Sequence, residues 1–149
     1  MLFRSAERVA TEGLRLAWHN HDFEYRPLPD GTRPIDHLLD AAGPNVGYEI
    51  DFAWVTRGGG DAVSEIKRYG KRMFAIQVKD TLPLGQKAEG GWAAMGDGVI
   101  DWQSLWPLFA GTPADHLVVE HDEPSDWRLV ASRSLGFIRR LQQEFSAPQ

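Results

Sequence analysis

The chain has 149 residues, 42% hydrophobic and 25% charged, which supports one folded domain with a sizeable core and excludes a disordered or collagen-like chain. Sixteen Lys and Arg against twenty-one Asp and Glu leave a net charge of −5, which opposes binding to a nucleic-acid backbone. The absence of cysteine excludes disulfide frameworks, thiolate zinc sites and cysteine nucleophiles, and no run approaches the roughly 18 apolar residues of a membrane span, so a cytoplasmic location without a membrane partner is expected.

A helix is predicted over residues 5–12 and stopped by Gly13, and a strand over 14–20 then runs into His19-Asn20-His21-Asp22. The turn signals Pro29-Asp30-Gly31 follow, and Ile35, Leu38 and Leu39 sit at helical spacing in a helix over 35–42 that ends at Gly43-Pro44. A second strand over 46–52 ends in Asp51. Beyond Gly58-Gly59-Gly60, a helix over 61–69 stops at Gly70. The third strand, 73–78, ends in Lys79-Asp80 and opens a long Gly-rich loop over 81–100, a length that points to function or mobility. Asp101 caps a helix over 101–109, the last strand spans 116–119, and the final helix spans about 126–145. Strand and helix alternate four times, the pattern of βα units in a parallel sheet, and no linker divides residues 1–149, so a single domain is expected.

In parallel α/β folds ligands bind beyond the carboxyl ends of the strands. All four predicted strands end there in polar groups: His19, Asn20 and His21; Glu49 and Asp51; Gln77, Lys79 and Asp80; Glu120, His121 and Asp122. Alternation along a strand pairs His19 with His21, Gln77 with Lys79 and Glu120 with Asp122, and turns half of these groups away from any one site. Imidazoles and carboxylates held together form an oxygen and nitrogen site for Mn²⁺, Mg²⁺, Co²⁺ or Zn²⁺. Such an ion polarises a carbonyl while a carboxylate moves a proton at the next carbon. Each group also has a plainer use: caps and loop hydrogen bonds for His19 and His21, a surface ion pair for Lys79-Asp80, loop positions for Glu24 and Tyr25. The six tryptophans suit packing, although Trp54 and Trp92, placed in loops, could wall a sugar pocket. Gly96-Asp97-Gly98 lacks the remaining glycines of a dinucleotide fingerprint, and no serine stands in a G-x-S-x-G elbow.

Five strings stand in a telling order: Trp18-His19-Asn20-His21-Asp22-Phe23-Glu24, Glu49-Ile50-Asp51-Phe52-Ala53-Trp54, Gln77-Val78-Lys79-Asp80, Gly96-Asp97-Gly98-Val99-Ile100-Asp101-Trp102 and Val118-Val119-Glu120. Over nearly its whole length the chain resembles the sugar phosphate isomerases/epimerases of the xylose isomerase-like TIM-barrel superfamily. The resemblance implies an α/β fold, a partial (β/α)8 TIM barrel of about four βα units corresponding to strands five to eight, since a whole barrel takes about 250 residues. It implies a divalent metal held at or near His19, at Asp51, at Gln77 and at Glu120, with His21 or Glu24 as alternatives at the first position. Where the family carries histidine on strand seven, this chain carries Gln77, whose neutral amide is a weaker donor.

The implied activity is isomerisation or epimerisation of a sugar or sugar phosphate by proton transfer next to a carbonyl. Glu120 would be ligand and base, His19 ligand or acid, and Lys79 a substrate-oxygen contact; His21, Glu24, Trp54 and Asp80 would line the substrate. A non-catalytic half barrel that binds a sugar or partner chain, and an inosose dehydratase-like lyase, are the alternatives. Two unpaired sheet edges predict a homodimer or a complementing half barrel as partner.

Overall fold

The computed structural model describes residues 2–146. Four parallel strands form one sheet in the order β1-β2-β3-β6: β1 (Ala17–His19), β2 (Gly47–Asp51), β3 (Met73–Gln77) and β6 (His116–Val118). Six helices accompany them: α1 (Leu2–Ala10), α2 (Pro34–Ala42), α3 (Phe52–Arg57), α4 (Ala62–Tyr69), α5 (Trp102–Phe109) and α6 (Trp127–Ser146). This is the expected four-unit α/β half barrel, with one strand neighbour each for β1 and β6 among the described residues. No helix among them is long and apolar enough to cross a membrane.

The sequence sets the helix ends. Pro34 begins α2, where its missing N–H costs nothing, and Gly43 closes it at φ +77°. Asp61 and Asp101 cap α4 and α5 by accepting from Ser64 N (2.8 Å) and Ser104 N (3.1 Å).

Strand register then sorts side chains between two faces. Tyr48, Ile50 and Ile76 face the helices and are fully buried with Ile35, Leu39 and Trp102. The opposite, concave face carries His19 beside Glu49, and Asp51 beside Gln77 and next to Val118. Near its lower end lies an open cavity of about 410 Å³ that includes Ala17, Glu49, Ala75 and His116.

Three segments differ from the sequence expectation. The first strand begins at Ala17 rather than residue 14, because Arg15 is drawn off to Asp115 by a bidentate pair at 2.7 Å. The second strand ends one residue early, and α3, not foreseen, starts at once: Asp51 Oδ1 accepts from Ala53 N (2.8 Å) and Trp54 N (3.0 Å). The long loop is ordered by a short antiparallel pair, β4 (Asp80–Thr81) with β5 (Trp92–Ala93).

Candidate functional site

Lys79 is the centre of the site. Leaving the end of β3, its side chain is 1% exposed, and its Nζ lies 2.5 Å from Glu120 Oε2, 3.0 Å from Asp122 Oδ2 and 3.3 Å from Asp51 Oδ2. A buried ammonium is tolerated only when charge and hydrogen bonds replace its lost water. Burial by itself lowers the Lys79 pKa. The Asp51 charge and the bonds to Glu120 and Asp122 more than offset it, so Lys79 stands above its ordinary range and stays cationic. Burial pushes the Asp51 carboxyl up, and Lys79 and the Trp54 amide pull it only part of the way back. With three carboxylates facing one ammonium, the charged pair is the state the geometry favours.

Aromatic rings complete the enclosure. Lys79 Nζ sits 4.2 Å from the Trp92 ring centre and 5.1 Å from that of Trp54, and the two indoles meet edge-on at 4.4 Å. Trp54 also meets His21 at 5.2 Å, and His21 meets His19 at 4.9 Å. The Arg57 guanidinium lies 3.1 Å from the Trp92 ring centre while donating to Thr81 Oγ1 and Gly90 O, both at 3.0 Å.

Beside this cation stand polar atoms without partners. His19 Nδ1 and Gln77 Oε1 are buried and have no hydrogen-bond partner among the described residues, while Asp51 Oδ2 has only the Lys79 ammonium at 3.3 Å. An unsatisfied buried polar atom costs about 1–3 kcal/mol, so two on strand ends of one face call for a polar ligand.

The expected metal ligands do not come together as a divalent-ion site. Among the described residues no three His, Asp or Glu side chains converge as ligands. Gln77 donates its Nε2 to Glu49 Oε1 at 2.9 Å, and the carboxylates of Asp51 and Glu120 are drawn to Lys79. Asp51 and Glu120 are thus held by the Lys79 ammonium, and Gln77 by Glu49.

Two expected substrate contacts are corrected. Asp80 is fully buried and both its oxygens are committed: Oδ1 accepts from Thr81 N (2.8 Å) and Ile100 N (3.1 Å), and Oδ2 from Gly96 N (3.1 Å) and Trp102 Nε1 (2.9 Å). It ties the long loop to the sheet. Gly98 packs so close to Asp80 that a Cβ there would collide with it, and Gly96 adopts φ +87°, so both glycines are required by this knot. Glu24, 2% exposed, accepts from Trp18 Nε1 (2.6 Å) and His21 N (2.5 Å), and holds the turn that presents His21.

Trp54 borders the Lys79 cluster and His21 packs against Trp54. Arg57 and Asp122 were missed as contributors. Asp122 carried a signal, since it is two residues beyond Glu120 and so on the same side; Arg57 carried none once α3 went unforeseen. Asn20 is also buried and serves alignment: its Oδ1 accepts from Asp51 N (2.9 Å) and Tyr48 Oη (3.0 Å).

Comparison with known proteins supplies the wider frame. The family model described as "Xylose isomerase-like TIM barrel" matches residues 2–141. The rhizopine catabolism protein MocC of Rhizobium meliloti is 29% identical over 132 residues, covering 79% of this chain and 40% of that protein. A sugar phosphate isomerase/epimerase of Parabacteroides distasonis superposes with a TM-score of 0.75 at 21% identity, over 92% of this chain and 49% of that one. The probable 3-DHS dehydratase AsbF of Bacillus anthracis gives 0.70 at 13% identity, over 93% and 54%. The chain thus spans about 40% of the curated relative and about half of these solved structures.

Proposed function

Because the chain belongs to the xylose isomerase-like TIM-barrel family, we propose that it carries the proton-transfer site of a sugar isomerase or epimerase, of which it supplies strands five to eight. One observation carries the reading: a buried Lys79 ammonium among Asp51, Glu120 and Asp122, beside the unpartnered polar atoms His19 Nδ1 and Gln77 Oε1. An ammonium in a dry setting polarises a carbonyl oxygen and lowers the pKa of the neighbouring C–H. Sugar hydroxyls bond to the spare polar atoms, and the partly exposed indole of Trp54 covers an apolar sugar face.

Roles follow from position. Glu120, with its side chain 33% exposed, reaches toward the open side and acts as the base that removes the proton and returns it. Asp51, fully buried and fixed by its capping bonds, keeps Lys79 charged and in place. His19 contacts a hydroxyl through its free Nδ1.

The test is hydrogen exchange in D₂O at the carbon beside the carbonyl, followed by NMR across a panel of keto-sugars with the purified chain. Exchange that falls at least 100-fold in Glu120→Gln supports the reading. Neither exchange nor binding for any keto-sugar overturns it for this chain.

A further inference from the structure

A second cavity, of about 290 Å³, opens between residues 82–97 and the start of α6. Leu82, Trp92, Leu129 and Val130 give it apolar walls, and its polar rim is almost entirely spoken for. Glu89 accepts from Ser125 N (2.8 Å) and Ser125 Oγ (2.6 Å), Asp97 Oδ2 from Arg133 (2.8 Å), and Asp126 Oδ1 from Leu129 N (3.0 Å). His121 is the exception. Both of its ring nitrogens are buried without a partner among the described residues, although a neutral imidazole carries one donor and one acceptor.

Charge and continuity narrow the occupant. In barrels of this kind the loops after the last two strands often hold a phosphate. Here the cavity lining sets three carboxylates, Glu89, Asp97 and Asp126, against Arg133, and that balance repels an anion. Trp92 belongs to both sites, since it lines this cavity and carries the Lys79 ammonium 4.2 Å from its ring centre. Trp92 is therefore a wall that the two sites share.

We propose that this cavity is a second subsite, which takes a neutral ring with an apolar face and one oxygen that bonds His121, so that the substrate is an unphosphorylated sugar bearing such a ring. The substrate part of this statement rests on the sugar reading of the Lys79 site.

Four probes test it by side-chain NMR of the five histidines, with His121 identified by its loss in His121→Phe. They are phenol, methyl β-D-glucoside, phenyl β-D-glucoside and glucose 6-phosphate. Phenol is expected to shift His121. Phenyl glucoside is expected to bind at least tenfold more tightly than methyl glucoside, and glucose 6-phosphate no more tightly than methyl glucoside. Val130→Phe, which fills the cavity from α6, removes the phenyl advantage and leaves methyl glucoside affinity unchanged. An unmoved His121 under phenol, or a glucose 6-phosphate that binds more tightly and shifts His121, overturns the subsite. Phenol binding at His121 with neither glucoside bound upholds the cavity and overturns its link to the Lys79 site.

Discussion

Two buried charge clusters sit on opposite faces of the same sheet, and only one of them is closed. On the helix side, Glu65 Oε1 accepts from Arg33 Nη1 (2.7 Å), Arg33 Nη2 and Nε reach Asp36 (2.8 and 3.1 Å), and Asp36 also accepts from Tyr69 Oη (2.5 Å). Tyr25 and Tyr48 finish that network, and none of its polar atoms is left buried without a partner. On the concave side, Lys79 is paired as thoroughly, yet His19 Nδ1 and Gln77 Oε1 on the same face keep no partner. A closed cluster fixes helices to strands; an open one is incomplete until something binds. Asn20 joins the two, since it takes Tyr48 Oη on one side and Asp51 N on the other.

The largest effect should come from breaking the open cluster. Lys79→Met leaves the fully buried Asp51 without its counter-charge, and removal of one partner of a buried pair costs about 3–5 kcal/mol. Urea unfolding should show that loss, and Asp51→Asn in the same chain should recover part of it, since Asn still caps α3. The hydrogen exchange proposed for this site should vanish in both variants. The pH dependence has a definite sign. Because Lys79 is raised above its ordinary 10.5, its contribution is complete below that value and is lost as pH rises through the folded value.

The closed cluster predicts the opposite pattern. Arg33→Met removes the partner of Glu65, which is 1% exposed, and should cost about 2 kcal/mol or more in urea unfolding. Ligand affinity and exchange rate, measured where the variant is folded, should not move. A change in either would show that the two clusters are coupled through Tyr48 and Asn20.

A smaller effect comes from Gln77→His. It places on this strand the histidine that the resemblance implies and replaces a neutral amide by imidazole, so Mn²⁺ affinity read by electron paramagnetic resonance should rise about tenfold, roughly 1.4 kcal/mol. Tight Mn²⁺ binding by the unaltered chain would instead mean that Lys79 yields its carboxylates to a metal.

The outline of the fold was open to reading because it is written in local patterns. Gly13, Gly43 and Gly70 punctuate helices, and four strands end in polar residues at the side where ligands gather. Lys79 and Glu120 could be named for the same reason. What escaped reading depends on partners distant in sequence. Asp51 looks like a strand-end ligand until α3 begins on its carboxylate, and Asp80 looks like a site residue until Gly96, Ile100 and Trp102 close around it. Glu24 is a loop carboxylate by pattern and a buried brace by contact with Trp18. His121 stood in view beside Glu120, but its lack of partners becomes visible only once the 82–97 segment and α6 are folded over it.

The smallest effect lies in an ion pair that is neither closed in nor left waiting. Arg15 and Asp115 meet in solvent at 2.7 Å, each about half exposed, and tie the start of β1 to the approach of β6. The Arg15 hydrogen bond, then that of His116, bring the Asp115 carboxyl from its ordinary 3.8 to about 2. A depressed carboxylate adds stability above its unfolded value and loses it as pH falls toward the folded one, so the contribution should fade between about pH 4 and pH 2. NMR titration of Asp115 should show that midpoint, and Arg15→Ala should return it toward 3.8 with little change in melting temperature, because water already solvates both groups. A melting temperature that drops by several degrees in Arg15→Ala would instead make this exposed pair a structural tie across the open face. The contrast drawn from Lys79 and Arg33 would then turn on which strands a pair connects rather than on whether it is buried.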